Sequence, residues 1–156
     1  MPIEVRILGE GDAAVLDRLG PDLFDDAIDP ATTAEFLADP RHHLAVALDG
    51  DVVVAFVSAV HYVHPDKPAP ELWIHEVGVA STHRRTGVGK AVVSAMLDRA
   101  RALGCREAWV GTERDNEAAR ALYRATGGVE ETAPSAWFTF ALGGGRGNRG
   151  PAAPGA

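Results

Sequence analysis

The chain has 156 residues, 46% of them hydrophobic and 24% charged, which predicts one soluble globular domain with its own core. Its net charge of −7 argues against nucleic acid or an anionic membrane as the main partner and favours a cationic substrate. No apolar run approaches the roughly 20 residues that cross a bilayer, and no signal-peptide pattern is evident. The single cysteine, Cys105, lacks partners for a disulfide or a metal site, so we expect a cytoplasmic protein without a metal.

The first half of the chain alternates strands with short helices and turns. Residues 12–28 read as an acidic, loosely helical stretch, and Thr32 or Thr33 is expected to cap a short helix. Asp49-Gly50 predicts a type I′ hairpin turn, because both central positions of that turn need a positive φ. The strands expected here are 3–7, 43–48 and 52–63.

The second half has longer elements. Three prolines within 65–70 predict a loop, and apolar residues at helical spacing predict a helix over 88–103 that Gly104 ends. A second helix is expected over 116–125. The strands expected here are 71–79, 107–112 and 137–142. The elements predict an α/β domain over 1–142, and the Gly/Pro/Ala-rich residues 143–156 are expected to be a disordered tail.

The junction between the strand at 71–79 and the helix at 88 is the most informative part of the sequence. Two glycines, Gly87 and Gly89, let the backbone approach a ligand closely. A helix that begins here directs unpaired N–H groups and the positive end of its dipole at an anion. Arg84 and Arg85 add full charges at the rim, so the junction predicts a phosphate-binding turn.

Two other phosphate motifs fit this junction poorly. A P-loop needs a glycine at the position of Arg84 and a Ser or Thr where this chain has Ala91. A dinucleotide fingerprint needs a third glycine where this chain has Val92. The other reading is a glycine-rich turn capped by solvated arginines, without a ligand.

Three separate pieces of sequence together resemble the GNAT superfamily of acetyl-CoA-dependent N-acetyltransferases. They are Ile74-His75-Glu76-Val77-Gly78-Val79, Arg84-x-x-Gly87-x-Gly89 and Asn116-x-x-Ala119-x-x-Leu122-Tyr123-x-x-x-Gly127. The resemblance covers essentially residues 3–142. It implies the α/β GNAT fold, in which helices flank a mixed central sheet on both faces, and a possible homodimer.

Within that superfamily, the aminoglycoside 3-N-acetyltransferase branch looks closest. Tyr62-x-x-Pro65 and Glu71-x-x-Ile74-x-Glu76 match its long hairpin and its fourth strand. Where the branch typically reads Tyr-Asp, this chain has His75-Glu76.

The resemblance implies a binding site for acetyl-CoA. The backbone of Val77 and Val79 would hold the pantetheine like an added strand, with a nearby N–H polarising the thioester oxygen. Core packing explains these valines too, and a helix N-cap alone explains Asn116, which is the other expected coenzyme contact. The pyrophosphate would lie on Arg84, Arg85, Thr86, Gly87, Val88, Gly89 and Lys90.

Two side chains are candidates for acid–base catalysis. Glu76 is a carboxylate in an apolar strand, where it must be paired, face a ligand or have a raised pKa. We expect it to act as general base through a water, because a primary ammonium with a pKa of roughly 10.4 is a poor match for a carboxylate at roughly 4.3. Tyr123 lies where the resemblance places a tyrosine near the coenzyme sulfur, which implies a general acid. A core tyrosine is the alternative.

Glu71, His75 and Asp26 are candidates for substrate binding. Glu71 starts the catalytic strand, and Asp26 belongs to an acidic stretch suited to a polycationic amine. A solvated helix face explains the aspartates equally well. His75 is expected on the opposite face of the strand from Glu76 unless a bulge intervenes, and it either lines the site or has no role.

Together these features predict acetyl transfer from acetyl-CoA to a primary amine of an aminoglycoside antibiotic, at the 3-amino group, within a ternary complex. Two alternatives remain open. One is an acetyltransferase for a polyamine, an amino acid or a protein N-terminus, and the other is a non-catalytic acetyl-CoA-binding module.

Overall fold

The computed structural model describes residues 2–143, which form a five-stranded sheet with helices on both faces. The strands lie in the order β1-β2-β3-β4-β5, antiparallel except for the parallel β4–β5 pair. The strands are β1 Ile3–Leu8, β2 His42–Asp49, β3 Val52–Tyr62, β4 Glu71–Val79 and β5 Glu107–Val110. The helices are α1 Pro30–Ala38, α2 Val88–Ala102 and α3 Glu117–Ala125.

The core lies on both faces of β2 and β3, which are buried along most of their length. This explains their nearly continuous apolar sequence, since a strand covered on both faces has no solvent-facing positions. On one face, Leu44 and Phe56 lie near Phe36 of α1. On the other face, Ile74 lies near Val93 of α2. The mixed α/β architecture expected from the sequence is therefore confirmed.

The region before β2 differs from its prediction. Only a short 3-10 helix, Ala13–Asp17, is helical between residues 12 and 28. The chain beyond it is held against the start of β3, because the Gly20 N–H donates to the Val53 carbonyl at 2.7 Å. Asp29, not a threonine, caps α1: its Oδ1 accepts from the Ala31 and Thr32 N–H groups at 2.9 and 3.2 Å. Pro30 follows at the first helical position, where its missing N–H costs nothing.

The hairpin between β2 and β3 also differs in detail. Asp49 pairs with Val52, so the two central turn residues are Gly50 and Asp51. Gly50 has a φ of 65°, whereas Asp51 is not among the residues with positive φ. This φ pattern is that of a type II′ turn, which needs glycine only at its first central position, and the predicted type I′ turn was wrong.

The largest difference concerns the end of the domain. Residues 129–142 form no helix or strand, so the strand predicted at 137–142 is absent, and β5 ends at Val110. The exposed fractions are 82% for Phe138, 79% for Phe140 and 93% for Leu142. The tail predicted to be disordered lies outside the described residues, apart from Gly143. No helix within residues 2–143 is long and apolar enough to cross a membrane.

Candidate active site

The site is built around a bulge in the middle of β4. Ser58 of β3 pairs with Glu76 and Ala59 pairs with Ile74, which leaves His75 without a partner on β3. An extra residue reverses the side-chain alternation of the strand. His75 and Glu76 therefore both point to the face that carries Phe56 and α1, so the bulge, not simple alternation, decides the position of His75.

Beyond the bulge, one edge of β4 is open. β5 pairs with β4 only from Glu71 to Ile74. From His75 to Val79, the backbone groups on that edge meet no other strand among the described residues. Unpaired strand edges bind extended ligands through main-chain hydrogen bonds. The edge at Val77 and Val79 can therefore accept an amide-containing chain, as expected for pantetheine.

The turn after β4 leads to an uncapped helix. Gly87 occupies the N-cap of α2 with a φ of 87°, and no side chain caps the helix. The N–H groups of Val88, Gly89 and Lys90 donate no hydrogen bond to any acceptor within residues 2–143. Arg84, Arg85 and Thr86 are exposed beside these donors. These donors and charges form a site suited to an anion.

Gly89 has a packing role that the sequence did not reveal. A Cβ on Gly89 would lie 3.2 Å from Val79 Cγ2 and 3.5 Å from Leu122 Cδ2. A glycine here lets α2 begin close to β4 and α3. Close packing therefore explains Gly89, whether or not a ligand also approaches its backbone.

Glu76 lines a cavity of about 310 Å³ between the α1 face of the sheet and the segment before α1. Burial raises the pKa of the Glu76 carboxyl, and the negative charge of Asp25 raises it further. The floor is apolar, with Phe56 and Phe24 stacked at 4.0 Å. The polar and acidic residues around the cavity are Asp25, Asp26, Asp29, Thr32, Thr33, Ser58 and Glu76. The cavity thus combines four carboxylates with an apolar floor, and Asp26 lines the same cavity as Glu76.

His75 precedes Glu76 on β4 but is not among the residues that line this cavity. Its ring contacts Trp73 edge to face, with 4.4 Å between centroids. Burial lowers the pKa of His75, and nearby His42 lowers it further, so the imidazole is neutral at pH 7. Its role in binding a substrate remains a prediction.

Glu71 is held within the protein, at the other end of β4. Its carboxylate lies 3.1 Å from His64 Nε2, accepts from Lys67 Nζ at 3.1 Å and accepts from Tyr62 Oη at 3.2 Å. The contacts with His64 and Lys67 lower the pKa of Glu71. Five residues of strand, about 16 Å, separate it from Glu76. Substrate binding by Glu71 stays a prediction, since its local contacts already explain a carboxylate here.

Tyr123 approaches β4 from the opposite face. It lines a smaller cavity of about 70 Å³ with Ile74, Val110 and Gly128. Burial raises the pKa of the Tyr123 hydroxyl, which keeps its proton at neutral pH. The candidate acid and the candidate base thus flank β4 from its two faces, next to the open edge. Asn116 caps α3 by accepting from the Ala119 N–H at 3.0 Å, so its residue type is explained without the expected coenzyme contact.

Comparison with known proteins agrees with this architecture. Residues 13–127 match the family model described as "Acetyltransferase (GNAT) family". The chain belongs to the GNAT acetyltransferase family. The superfamily resemblance seen in the sequence is therefore confirmed, and this chain is an N-acetyltransferase.

Two curated relatives have different activities. The chain is 30% identical over 128 residues to N-alpha-acetyltransferase RimI of Mycobacterium tuberculosis, which covers 81% of this chain and 78% of the relative. It is 32% identical over 143 residues to an aminoglycoside N(6′)-acetyltransferase type 1 of Stenotrophomonas maltophilia, which covers 88% and 93%.

A solved structure shows the same fold. It is the aminoglycoside acetyltransferase AAC(6′)-Iy in complex with the bisubstrate analogue CoA-S-monomethyl-acetylneamine, with a TM-score of 0.73 and 21% identity over 90% of this chain and 99% of that chain. Structures of this fold thus bind CoA derivatives. Both of these aminoglycoside enzymes are 6′-acetyltransferases, so the comparisons do not specify the 3-N branch.

Proposed function

We propose that this acetyltransferase transfers acetyl from acetyl-CoA to a primary amine of an aminoglycoside. The observation that carries the proposal is the cavity at Glu76, where Asp25, Asp26 and Asp29 add three further carboxylates. An aminoglycoside carries several ammonium groups, and clustered carboxylates attract such a ligand. The relative from Stenotrophomonas maltophilia, an aminoglycoside N(6′)-acetyltransferase, supports the same class of acceptor.

The residues at the β4–α2 junction fit the coenzyme. The uncapped N-terminus of α2, with Arg84 and Arg85 beside it, would hold the pyrophosphate, and the open edge of β4 at Val77 and Val79 would hold the pantetheine. When bound there, acetyl-CoA supplies an activated acyl group. The chain has to place the acceptor nitrogen and move two protons.

Glu76 and Tyr123 are proposed to move these protons. The raised pKa of Glu76 brings this carboxyl closer to the amine that it must deprotonate, through a water. Tyr123 keeps its proton at neutral pH and is proposed to donate it to the leaving thiolate. Because they flank β4 from opposite faces, one group serves the acceptor side and the other serves the coenzyme side.

The position of acetylation is a separate part of the proposal. The sequence resemblance favours the 3-amino group, whereas the named aminoglycoside relative acts at 6′. Acetylation at the 3-amino group is the prediction that we retain for test.

A second candidate is acetylation of a protein N-terminus. The relative from Mycobacterium tuberculosis is an N-alpha-acetyltransferase. The apolar floor of the cavity, formed in part by Phe24, Phe36 and Phe56, also suits an apolar first side chain next to an α-amine.

The test is thiol release from acetyl-CoA with sisomicin, spermidine and peptides that begin with alanine or methionine. We expect turnover on sisomicin at least tenfold above that on the others, and NMR of the product then assigns the 3- or the 6′-amino group. Turnover only on peptides would replace the aminoglycoside by the protein N-terminus. Product at 6′ would keep the acceptor and overturn the 3-amino prediction.

A further inference from the structure

A side-chain contact joins the anion-binding turn to a hairpin that is far away in the sequence. His83 Nε2 lies 2.9 Å from Asp49 Oδ2, and 34 residues separate the two. Asp49 ends β2, and His83 lies in the short 3-10 helix Ser81–His83 that leads from β4 to the turn. The side chains are 22% and 35% exposed for His83 and Asp49, so the pair lies at the rim and not in the core.

His83 also contacts the turn and Ala80, the residue after β4, through its backbone. Its N–H donates to the Ala80 carbonyl at 2.8 Å, and the Ala80 N–H donates to Val54 of β3 at 2.8 Å. The His83 carbonyl accepts a hydrogen bond from Thr86 Oγ1. His83 therefore joins the hairpin, through its side chain, to the turn, through its carbonyl.

The turn needs such support because its backbone is strained. Arg85 has a φ of 61°, in the left-handed region that residues with a Cβ rarely adopt. Such a conformation persists only when neighbouring contacts impose it, and it is frequent at ligand sites. Residues 84–87 are all exposed, so none of them anchors the turn by packing a side chain into the core. Besides the backbone hydrogen bonds at Ala80 and His83, the Asp49–His83 contact and the Thr86 hydroxyl hold this turn.

We propose that Asp49 and His83 are positioning residues for the coenzyme diphosphate. They fix residues 84–87 so that the first N–H groups of α2 and the two arginines converge on one anion before it binds. Without the pair, the turn samples other conformations, and binding then has to order it again, which weakens affinity. This proposal rests on the proposed function in one respect, which is that the bound anion is the diphosphate of CoA.

The test is the affinity for CoA, measured by isothermal titration calorimetry, together with initial rates, in Asp49→Ala, His83→Ala and the double variant. We expect Kd for CoA and KM for acetyl-CoA to rise roughly tenfold in each, because a hydrogen bond to a charged group is lost. The double variant should be no weaker than the single ones, since both remove one contact. The kcat and the KM for the acceptor should change less than twofold. His83→Gln, which keeps an N–H donor, should recover part of the affinity.

Asp51→Ala is the matched control. Asp51 lies on the same hairpin and forms an ion pair with Arg18, but it makes no contact with the turn. We expect unchanged CoA affinity in this variant. If Asp49→Ala binds CoA like the wild type, or if Asp51→Ala is weakened equally, the positioning role is overturned while the proposed function stands. If the wild type itself binds no CoA, the proposed function fails, and the positioning role fails with it.

Discussion

The β4–α2 junction was expected to be a turn into a helix and residues 137–142 a strand, yet only the junction has the expected local structure. The junction is held on several sides: Ala80 bonds to β3, His83 pairs with Asp49, and Gly89 packs on Val79. In contrast, residues 131–142 make no hydrogen bond to any residue within 2–143. The last side-chain contact before them joins Glu130 to Arg120.

The difference shows what an alternating apolar pattern does and does not predict. Phe138, Phe140 and Leu142 alternate as in a strand, but a strand also needs a neighbouring backbone edge. β5 ends the sheet, and its outer edge is open among the described residues. The outer edge of β5 and the apolar segment 137–142 thus both lack a partner strand among the described residues, whereas β4 pairs with β3 along its length.

The largest effect is expected at β4. Glu76→Gln should lower kcat/KM for the acceptor roughly 10²- to 10⁴-fold, as for other acid–base groups, while CoA binding stays unchanged. Rates and calorimetry on the same samples measure both. Phe138→Ser, in the exposed segment, is the control and should keep full activity. Unchanged turnover in Glu76→Gln would remove Glu76 as the base.

Gly89→Val should give the next largest effect, on stability. The new side chain would clash with Val79 and Leu122, and overpacking of this kind costs about 1–3 kcal/mol of unfolding free energy. Phe140→Ser should change the free energy of unfolding by less than about 0.5 kcal/mol, because Phe140 is exposed. Urea denaturation measures both. Equal losses of unfolding free energy in the two variants would contradict the view that the junction is packed and that residues 137–142 are not.

A smaller effect is expected in the pH profile. A general base must be ionised, so kcat/KM should fall as the pH drops through the raised pKa of Glu76. Asp25→Asn removes a neighbouring negative charge, which should lower the pKa of Glu76 and move the acid limb to lower pH. If the fall of kcat/KM at low pH stays at the same pH in Asp25→Asn, or moves to higher pH, Asp25 does not raise the pKa of Glu76.

The smallest effect on activity is expected from the exposed segment, which we predict to mediate homodimer formation. An exposed segment with alternating apolar residues and an open sheet edge both favour association between copies. Light scattering at increasing concentration should show a dimer, and Phe138→Ser with Phe140→Ser should weaken it, with kcat changed less than twofold. A monomer at all concentrations would exclude this role.

Local sequence predicted the parts of the site that depend on local chemistry. Apolar residues at helical spacing from Val88 placed the start of α2, and Asn116 marked the start of α3. The bulge at His75 was not predictable, because it depends on the register between β3 and β4. The contact between Asp49 and His83 joins residues that only the folded sheet brings together. The pattern at 137–142 was misleading because it contains no information about whether an edge is available.

The most direct test of the account is hydrogen–deuterium exchange with and without saturating CoA. The account predicts that CoA slows exchange at 75–79 and 84–91, where the β4 edge is open and α2 is uncapped, and leaves 137–142 unchanged. Exchange that is unchanged at both junction segments while CoA is bound would contradict the claim that this junction is the coenzyme site.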